Sequence, residues 1–380
     1  MSTPSDKGGI SGVIARIECD LRELWLVPGD RQSMPPTSRV CTMNLIVVAD
    51  QADLLDRYTP IVDEVSRSTP ARTILVSVEP DAPDELMGDA EAVRSLDPSH
   101  AVCSERVRLY ARGAATASVA SCVDALLVPE IPTALVWLGR IHAKDPIFEA
   151  IAGAAHRIIT DTEYTSLVSL VHLASWARAE PDRPFVADLA WTRLSPWLEL
   201  FARFFDDKRL HNHAQHLTRL RINQASDKGA RLGSEAALLI GWIGTRLGLR
   251  TSRLGGSLRF QRADGRNVAV EFGSVPRPEG VAPATLAQVF IDADFEGVTL
   301  RGSLERNLGS GLEGSTVDND VVKWTLQVAD APAIEQQVRL GTNKGAKWLE
   351  RTLHRPAKDP ALVEAVAFAE EVVEDGLFCG

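Results

Sequence analysis

Three histidines stand close together as H-x-H-x-x-H, at His211, His213 and His216, and imidazole is the commonest protein ligand for metals such as zinc. Their spacing works against a shared ion. On a helix the first two side chains diverge by about 200°, and on a strand the third points to the opposite face, so one regular element cannot converge all three. No nearby cysteine offers a fourth ligand, and solvated or hydrogen-bonded histidines are expected instead of a metal site. Gly309, Gly311 and Gly314 spell G-x-G-x-x-G, but a dinucleotide fingerprint leaves a strand and opens a helix, whereas both flanks here read as strands. A connection between strands is expected there. Asp292, Asp294 and Glu296 ahead of Gly297 imitate the start of a calcium loop. Ser303 stands at the twelfth position, where such a loop needs a bidentate Glu, so a turn between strands is the simpler reading. No G-x-S-x-G elbow, Walker loop or H-E-x-x-H pair occurs, and neither a catalytic residue nor a cofactor is expected.

Five cysteines, Cys19, Cys41, Cys103, Cys122 and Cys379, are widely spread with no C-x-x-C pair. Buried, inert thiols are expected, except that Cys379 is expected to be exposed and hence redox-reactive. The formal charge is −10 without any block of one sign, which disfavours nucleic acid as a partner. The start, MSTPSDKGGISG, has no apolar core, and no run of 18 apolar residues occurs. A cytoplasmic protein with no membrane partner is expected.

The elements that must position any site fall into two halves. Residues 12–26 place Val13, Ile17, Leu21 and Leu24 at helical spacing, and a proline-rich loop follows at 27–38. Apolar runs at 43–50, 72–78, 106–113, 133–139 and 156–162 then alternate with helical patterns, across a polar, acidic stretch at 79–99. The fold class expected is α/β: an open, mostly parallel Rossmann-like sheet domain over 1–180 with a leading helix, followed by an α+β domain over 181–380. In the second half an apolar helix at 234–249 precedes a hairpin turning at Asp264-Gly265-Arg266. Alternating runs at 285–293, 297–306 and 321–328 extend an antiparallel sheet, and a helix from Pro360 to Glu374 ends the pattern. Ligands of open parallel sheets lie beyond the strand ends. Arg112, beside Gly113, and Arg140 are the candidates there for an anion, against the plainer reading of solvated strand termini.

One segment is unusual: residues 188–206, DLAWTRLSPWLELFARFFD, hold two Trp and three Phe beside Arg193 and Arg203. Ser195-Pro196 reads as an N-cap and first helical residue, so a helix is expected from Pro196, with Glu199 and Arg203 paired across a turn. Core packing is the plainer reading of its aromatic residues, although Trp and Arg also dominate interfaces.

That segment resembles the D-L-x-W-x-R-x-x-P-W signature of the glucose-6-phosphate dehydrogenase assembly proteins, the OpcA family. ARIECDLRELW, RVCTMNLIVV, TPARTILV, PEIPTALVWLG, HRIITDT and EAALLIGWIGTRLG agree in order, over most of residues 12–250. The resemblance implies a non-catalytic partner of glucose-6-phosphate dehydrogenase that favours that enzyme's active oligomer and so supports the oxidative pentose phosphate pathway and NADPH supply. It also makes Asp188, Trp191, Arg193 and Trp197 the candidates for contact with the dehydrogenase. The alternative, from the residues alone, is an enzyme holding a sugar phosphate or nucleotide at the strand ends of the first domain.

Overall fold

The computed structural model describes residues 9–23, 38–39, 41–94, 102–141, 145–227, 233–254, 257–308, 321–341, 345–355 and 359–373. The G-x-G-x-x-G stretch and Cys379 lie outside them. Two compact units are present. One comprises Met1–Thr165, His172–Leu189 and Gly345–Lys358, the other Ser166–Val171, Ala190–Lys344 and Asp359–Gly380.

The first unit is built on α1 (Ile10–Glu23), β1 (Ser38–Arg39), β2 (Met43–Ala49), α2 (Ala52–Ser68), β3 (Ala71–Glu79), β4 (Glu85–Arg94) and β5 (Val102–Arg112). It continues with α3 (Val119–Leu126), β6 (Thr133–Trp137), α4 (Pro146–Ala152), β7 (Arg157–Thr160), most of α5 (Leu167–Ala179) and β8 (Phe185–Asp188). The parallel strands run β1-β5-β3-β2-β6-β7-β8. From β5 onward, numbered by their order along the chain, they follow the 3-2-1-4-5-6 order of a doubly wound dinucleotide-type sheet. Helices on both faces explain why β2 is apolar but for Asn44, and why β3 is buried along nearly its whole length even at Arg72, Thr73 and Ser77. Side chains of β2 alternate: Ile46 and Val48 join one core with α1, α3 and α4, while Leu45, Val47 and Ala49 join another with α2.

Part of the polar stretch at 79–99 is a strand. Residues 85–94 form β4, antiparallel to β5, because acidic residues on one strand face arginines on the other: Glu85 opposite Arg112, Asp89 opposite Arg108 and Glu91 opposite Arg106. Arg106 and Arg108 both pair with Glu91, at 2.7 and 3.2 Å. Gly88 leaves room for Ile17 of α1, whose Cδ1 would lie 2.6 Å from a Cβ at that position. A late helix, α8 (Gly345–Leu353), which sequence periodicity did not mark, also belongs to this unit and adds Ala346 and Leu349 to the α2 side of the core. Arg157, at the start of β7, donates to the Thr352 and Leu353 carbonyls at its end.

The second unit contains α6 (Leu189–Ala202), β9 (Leu217–Ala225), α7 (Ser234–Arg246), β10 (Arg250–Leu254), β11 (Ser257–Gln261) and β12 (Asn267–Val275). β13 (Thr285–Phe295), β14 (Val298–Arg306), β15 (Val321–Val328), β16 (Ile334–Arg339) and α9 (Pro360–Val373) complete it. Its eight strands run β10-β11-β12-β9-β13-β14-β15-β16. The sheet is mixed where an antiparallel one was expected, since β12 runs parallel to β9. β11 and β12 form the expected hairpin. Gly265 has φ of +80° in its turn, a conformation that glycine adopts without strain. One face of the sheet supplies the core through Leu220, Ile222, Val289, Ile291, Leu300, Leu304, Val322 and Trp324, all buried. α7 and α9 touch backbone to backbone: a Cβ at Gly241 would fall 2.1 Å from the Ala365 carbonyl oxygen.

Candidate partner-binding segment

The helix of the signature segment starts at Leu189, not at Pro196, so the proline sits inside α6. Lacking an N–H, Pro196 cannot donate to the Thr192 carbonyl, a defect worth about 3 kcal/mol in a helix interior. Burial outweighs it. Leu189, Trp191, Leu194, Trp197, Leu200 and Phe201 are all buried, and a large apolar side chain contributes roughly 1.5–3 kcal/mol on full burial.

The polar residues of the signature each fasten to a different element. Asp188, 0% exposed at the end of β8, accepts from the Thr162 backbone N–H at 3.0 Å and from the Thr162 hydroxyl at 3.2 Å. A buried carboxylate requires such donors. Trp191 donates its indole N–H to Asp359 Oδ2 at 2.8 Å. The other oxygen of Asp359 accepts from the Ala361 and Leu362 amides at 3.1 and 3.2 Å, which satisfies two of the unpaired N–H groups that begin α9. Arg193 donates to Glu235 in the first turn of α7 at 3.2 Å, and Glu235 also accepts from the Leu286 amide of β13 at 3.4 Å. Asp188 thus acts within the first unit, whereas Trp191 and Arg193 act within the second.

The aromatic run continues the fastening. Phe204 stacks on Trp324 with ring centroids 5.3 Å apart, Gly302 leaves the space its ring occupies, and Trp324 donates its indole N–H to the Leu200 carbonyl at 3.0 Å. The Arg203 guanidinium lies 5.0 Å over the Trp324 ring.

Trp191 and Trp197, two of the candidates for contact with the dehydrogenase, are 3% and 2% exposed. Asp188 is equally enclosed, and Arg193 keeps only 15% of its side chain open while paired to Glu235. The partners Thr162, Glu235 and Asp359 were not anticipated. Asp359-Pro360 did carry a readable signal, an acidic N-cap before proline at the first helical position.

At the strand ends, Arg112 lies between two carboxylates, 3.1 Å from Glu79 and 3.3 Å from Glu85. The crevice where the strand order reverses lies between β2 and β6, the usual seat of a dinucleotide. Here Asp50 follows β2 and accepts from the Arg140 backbone N–H at 3.4 Å. Glu79 accepts from the Ala52 amide at the start of α2. The Glu79 carboxylate therefore occupies a helix N-terminus that in a dinucleotide site receives the pyrophosphate.

The three histidines do not act together. They lie in a 3-10 turn over 211–216, where His213 is buried and bonded through Nε2 to the Val298 carbonyl. His216 bonds the Asn212 carbonyl, and His211 is exposed. Asp292 and Asp294 lie on β13, ahead of a two-residue turn at Glu296-Gly297 with φ of 53° and 77°, the geometry of a tight hairpin. Cys122 is buried, and burial pushes its thiol pKa up, whereas Cys19 is exposed and Cys41 half-buried. No described helix is long and apolar enough to cross a membrane.

Two family models match the chain. Residues 62–174 match the glucose-6-phosphate dehydrogenase subunit N-terminal domain, and residues 184–366 match the C-terminal domain of the same subunit. Among curated relatives, a Synechocystis protein named "Putative OxPP cycle protein OpcA" is 24% identical over 218 residues, covering 54% of this chain and 43% of that protein. A Synechococcus elongatus protein of the same name is 26% identical over 192 residues, covering 48% and 42%. The matched stretches thus span less than half the length of these relatives. Among solved structures, levoglucosan dehydrogenase in its apo form aligns over 88% of this chain and 97% of its own at 12% identity. Its TM-score of 0.45 is too low to bear on fold or activity. With matches to both domains of the subunit and the D-L-A-W-T-R-L-S-P-W signature in place, the chain belongs to the OpcA family of glucose-6-phosphate dehydrogenase assembly proteins.

Proposed function

We propose that the chain is a non-catalytic assembly factor that binds glucose-6-phosphate dehydrogenase in the cytoplasm and favours its active oligomer, thereby supporting NADPH supply. The observation that carries this reading is the match of both halves to the two domains of a dehydrogenase subunit. The strand ends of the first unit support it, because Asp50, Glu79 and Glu85 occupy the positions at which a phosphate-bearing ligand would be held. An assembly factor shifts an oligomer equilibrium only by binding one state more tightly than the other. The signature segment serves that binding indirectly: Asp188, Trp191, Arg193 and Trp197 fix α6 and the elements fastened to it, so that the surface offered to the dehydrogenase has one shape.

Co-purification with the dehydrogenase of the same host tests this reading, with oligomer mass and apparent substrate affinity compared with and without the chain. Binding with altered kinetics supports it. Binding without kinetic change reduces the chain to a scaffold, and no binding favours an enzyme with a phosphate-bearing substrate. If Arg193→Ala leaves both the fold and dehydrogenase activation intact, the role given to the signature segment is wrong.

A further inference from the structure

The sheet of the second unit has two unlike faces. Its inner face is the apolar core. On the outer face a continuous row crosses six strands in register: Glu271, Arg221, Phe290, Ser303, Thr325 and Glu335. All lie on the side opposite the buried Leu220, Val289, Leu304 and Trp324, since alternate residues of a strand point to opposite faces.

Three properties distinguish this face from an ordinary solvated one. It is electrically balanced. Arg219 pairs with Glu271 at 2.9 Å and Lys323 with Glu335 at 2.8 Å. The other charges of the central rows, Arg221, Asp292, Arg301 and Glu305, are again two of each sign. The whole chain carries −10, so two copies repel over most of their surfaces and least here. Its middle holds an aromatic ring, Phe290, with the Arg221 guanidinium 4.3 Å above it, and Phe and Arg are residue types enriched in interfaces. The Arg221 Nε is buried with no hydrogen-bond partner. Its neighbours are short, Ser303 and Thr325 in the same row and Gly273 beside Asn223, which leaves a surface low enough for another sheet to approach.

Size agrees. Six strands ~4.8 Å apart, each contributing about eight residues of ~3.3 Å, give a face on the order of 750 Å² per copy, close to the ~800 Å² per partner of a standard interface.

We propose that this face is the contact between two copies of the chain, joined face to face about a two-fold axis. Both copies present the same patch, so a cation on one must find a carboxylate on the other, and a balanced mosaic meets that requirement where a surface of one sign does not.

Sedimentation velocity of the full chain at tens of micromolar tests the proposal. A species of twice the 41.3 kDa chain mass is expected. Ser303→Arg, which places a long cation at the centre of the face, returns it to a single chain with its circular dichroism and melting temperature unchanged. Phe290→Ala weakens the dimer about tenfold, the loss of one apolar contact worth roughly 1.4 kcal/mol. A monomeric wild type overturns the proposal, and so does a dimer indifferent to both substitutions. A monomer whose Phe290 row gains hydrogen-exchange protection only when the dehydrogenase is added overturns it in favour of a contact with that enzyme.

Discussion

Asp359 holds the indole N–H of Trp191 on one carboxylate oxygen, 2.8 Å away, and the first turn of α9 on the other. A tryptophan of the family signature and a helix 168 residues further along the chain are thereby tied through a single side chain. Replacing either residue has separable effects. Trp191→Phe removes the indole bond, at about 1.5–3 kcal/mol for a bond to a charged acceptor, and leaves part of the buried indole volume unfilled. Asp359→Ala also removes the cap, worth about 1 kcal/mol more. Hydrogen exchange at the Ala361 and Leu362 amides distinguishes them, rising sharply in Asp359→Ala and little in Trp191→Phe.

Gly241 permits the close approach of α7 and α9, because any Cβ there meets the Ala365 carbonyl. Gly241→Ala is expected to destabilise the second unit by about 1–3 kcal/mol through overpacking, even though alanine favours a helix by about 1 kcal/mol over glycine. A lower melting temperature with unchanged helix content in circular dichroism is the expected result. A higher one refutes the contact.

Asp264 in the β11–β12 turn has its pKa lowered to about 2, first by the side-chain bond from Arg262 and then by the Arg266 backbone N–H. The folded-state pKa lies below the unfolded one, so the contribution to stability is complete above the unfolded value, near 3.9, and is lost as pH falls through about 2. A carboxyl titration followed by NMR should place the midpoint near 2, and Arg262→Ala should move it up towards 3.9. A midpoint near 3.9 in the unsubstituted chain contradicts the pairing.

Cys19 is exposed, while Cys122 is buried with its thiol pKa raised by burial. Reaction needs an accessible thiolate. Mass spectrometry after brief alkylation of the native chain should therefore find Cys19 modified well before Cys122, and equal modification would show that the α3 core opens readily.

The legible parts of the fold were those whose burial repeats along the chain. β2 and β3 read as strands because both faces are covered and each carries a short apolar run, Leu45–Ala49 in β2 and Ile74–Val76 in β3. β4 was hidden because its acidic residues, which resemble a solvated loop, are matched by arginines of β5 that no local window contains. β16 offers little pattern either, since nearly all of its residues are exposed. Pro196 misdirected the helix start because local proline chemistry was weighed without the burial of Leu189, Trp191 and Leu194. Asp188, Trp191 and Arg193 could be singled out by residue type, but Thr162, Asp359 and Glu235 are joined to them only by the fold.

The mass of the chain mixed with its host's glucose-6-phosphate dehydrogenase, measured by sedimentation alongside the dehydrogenase's apparent affinity for glucose 6-phosphate, bears most directly on the proposed role. A joint species larger than either component, with substrate affinity changed in the mixture, is the expected result. Separate sedimentation of the two proteins, with dehydrogenase kinetics indifferent to the chain, contradicts it.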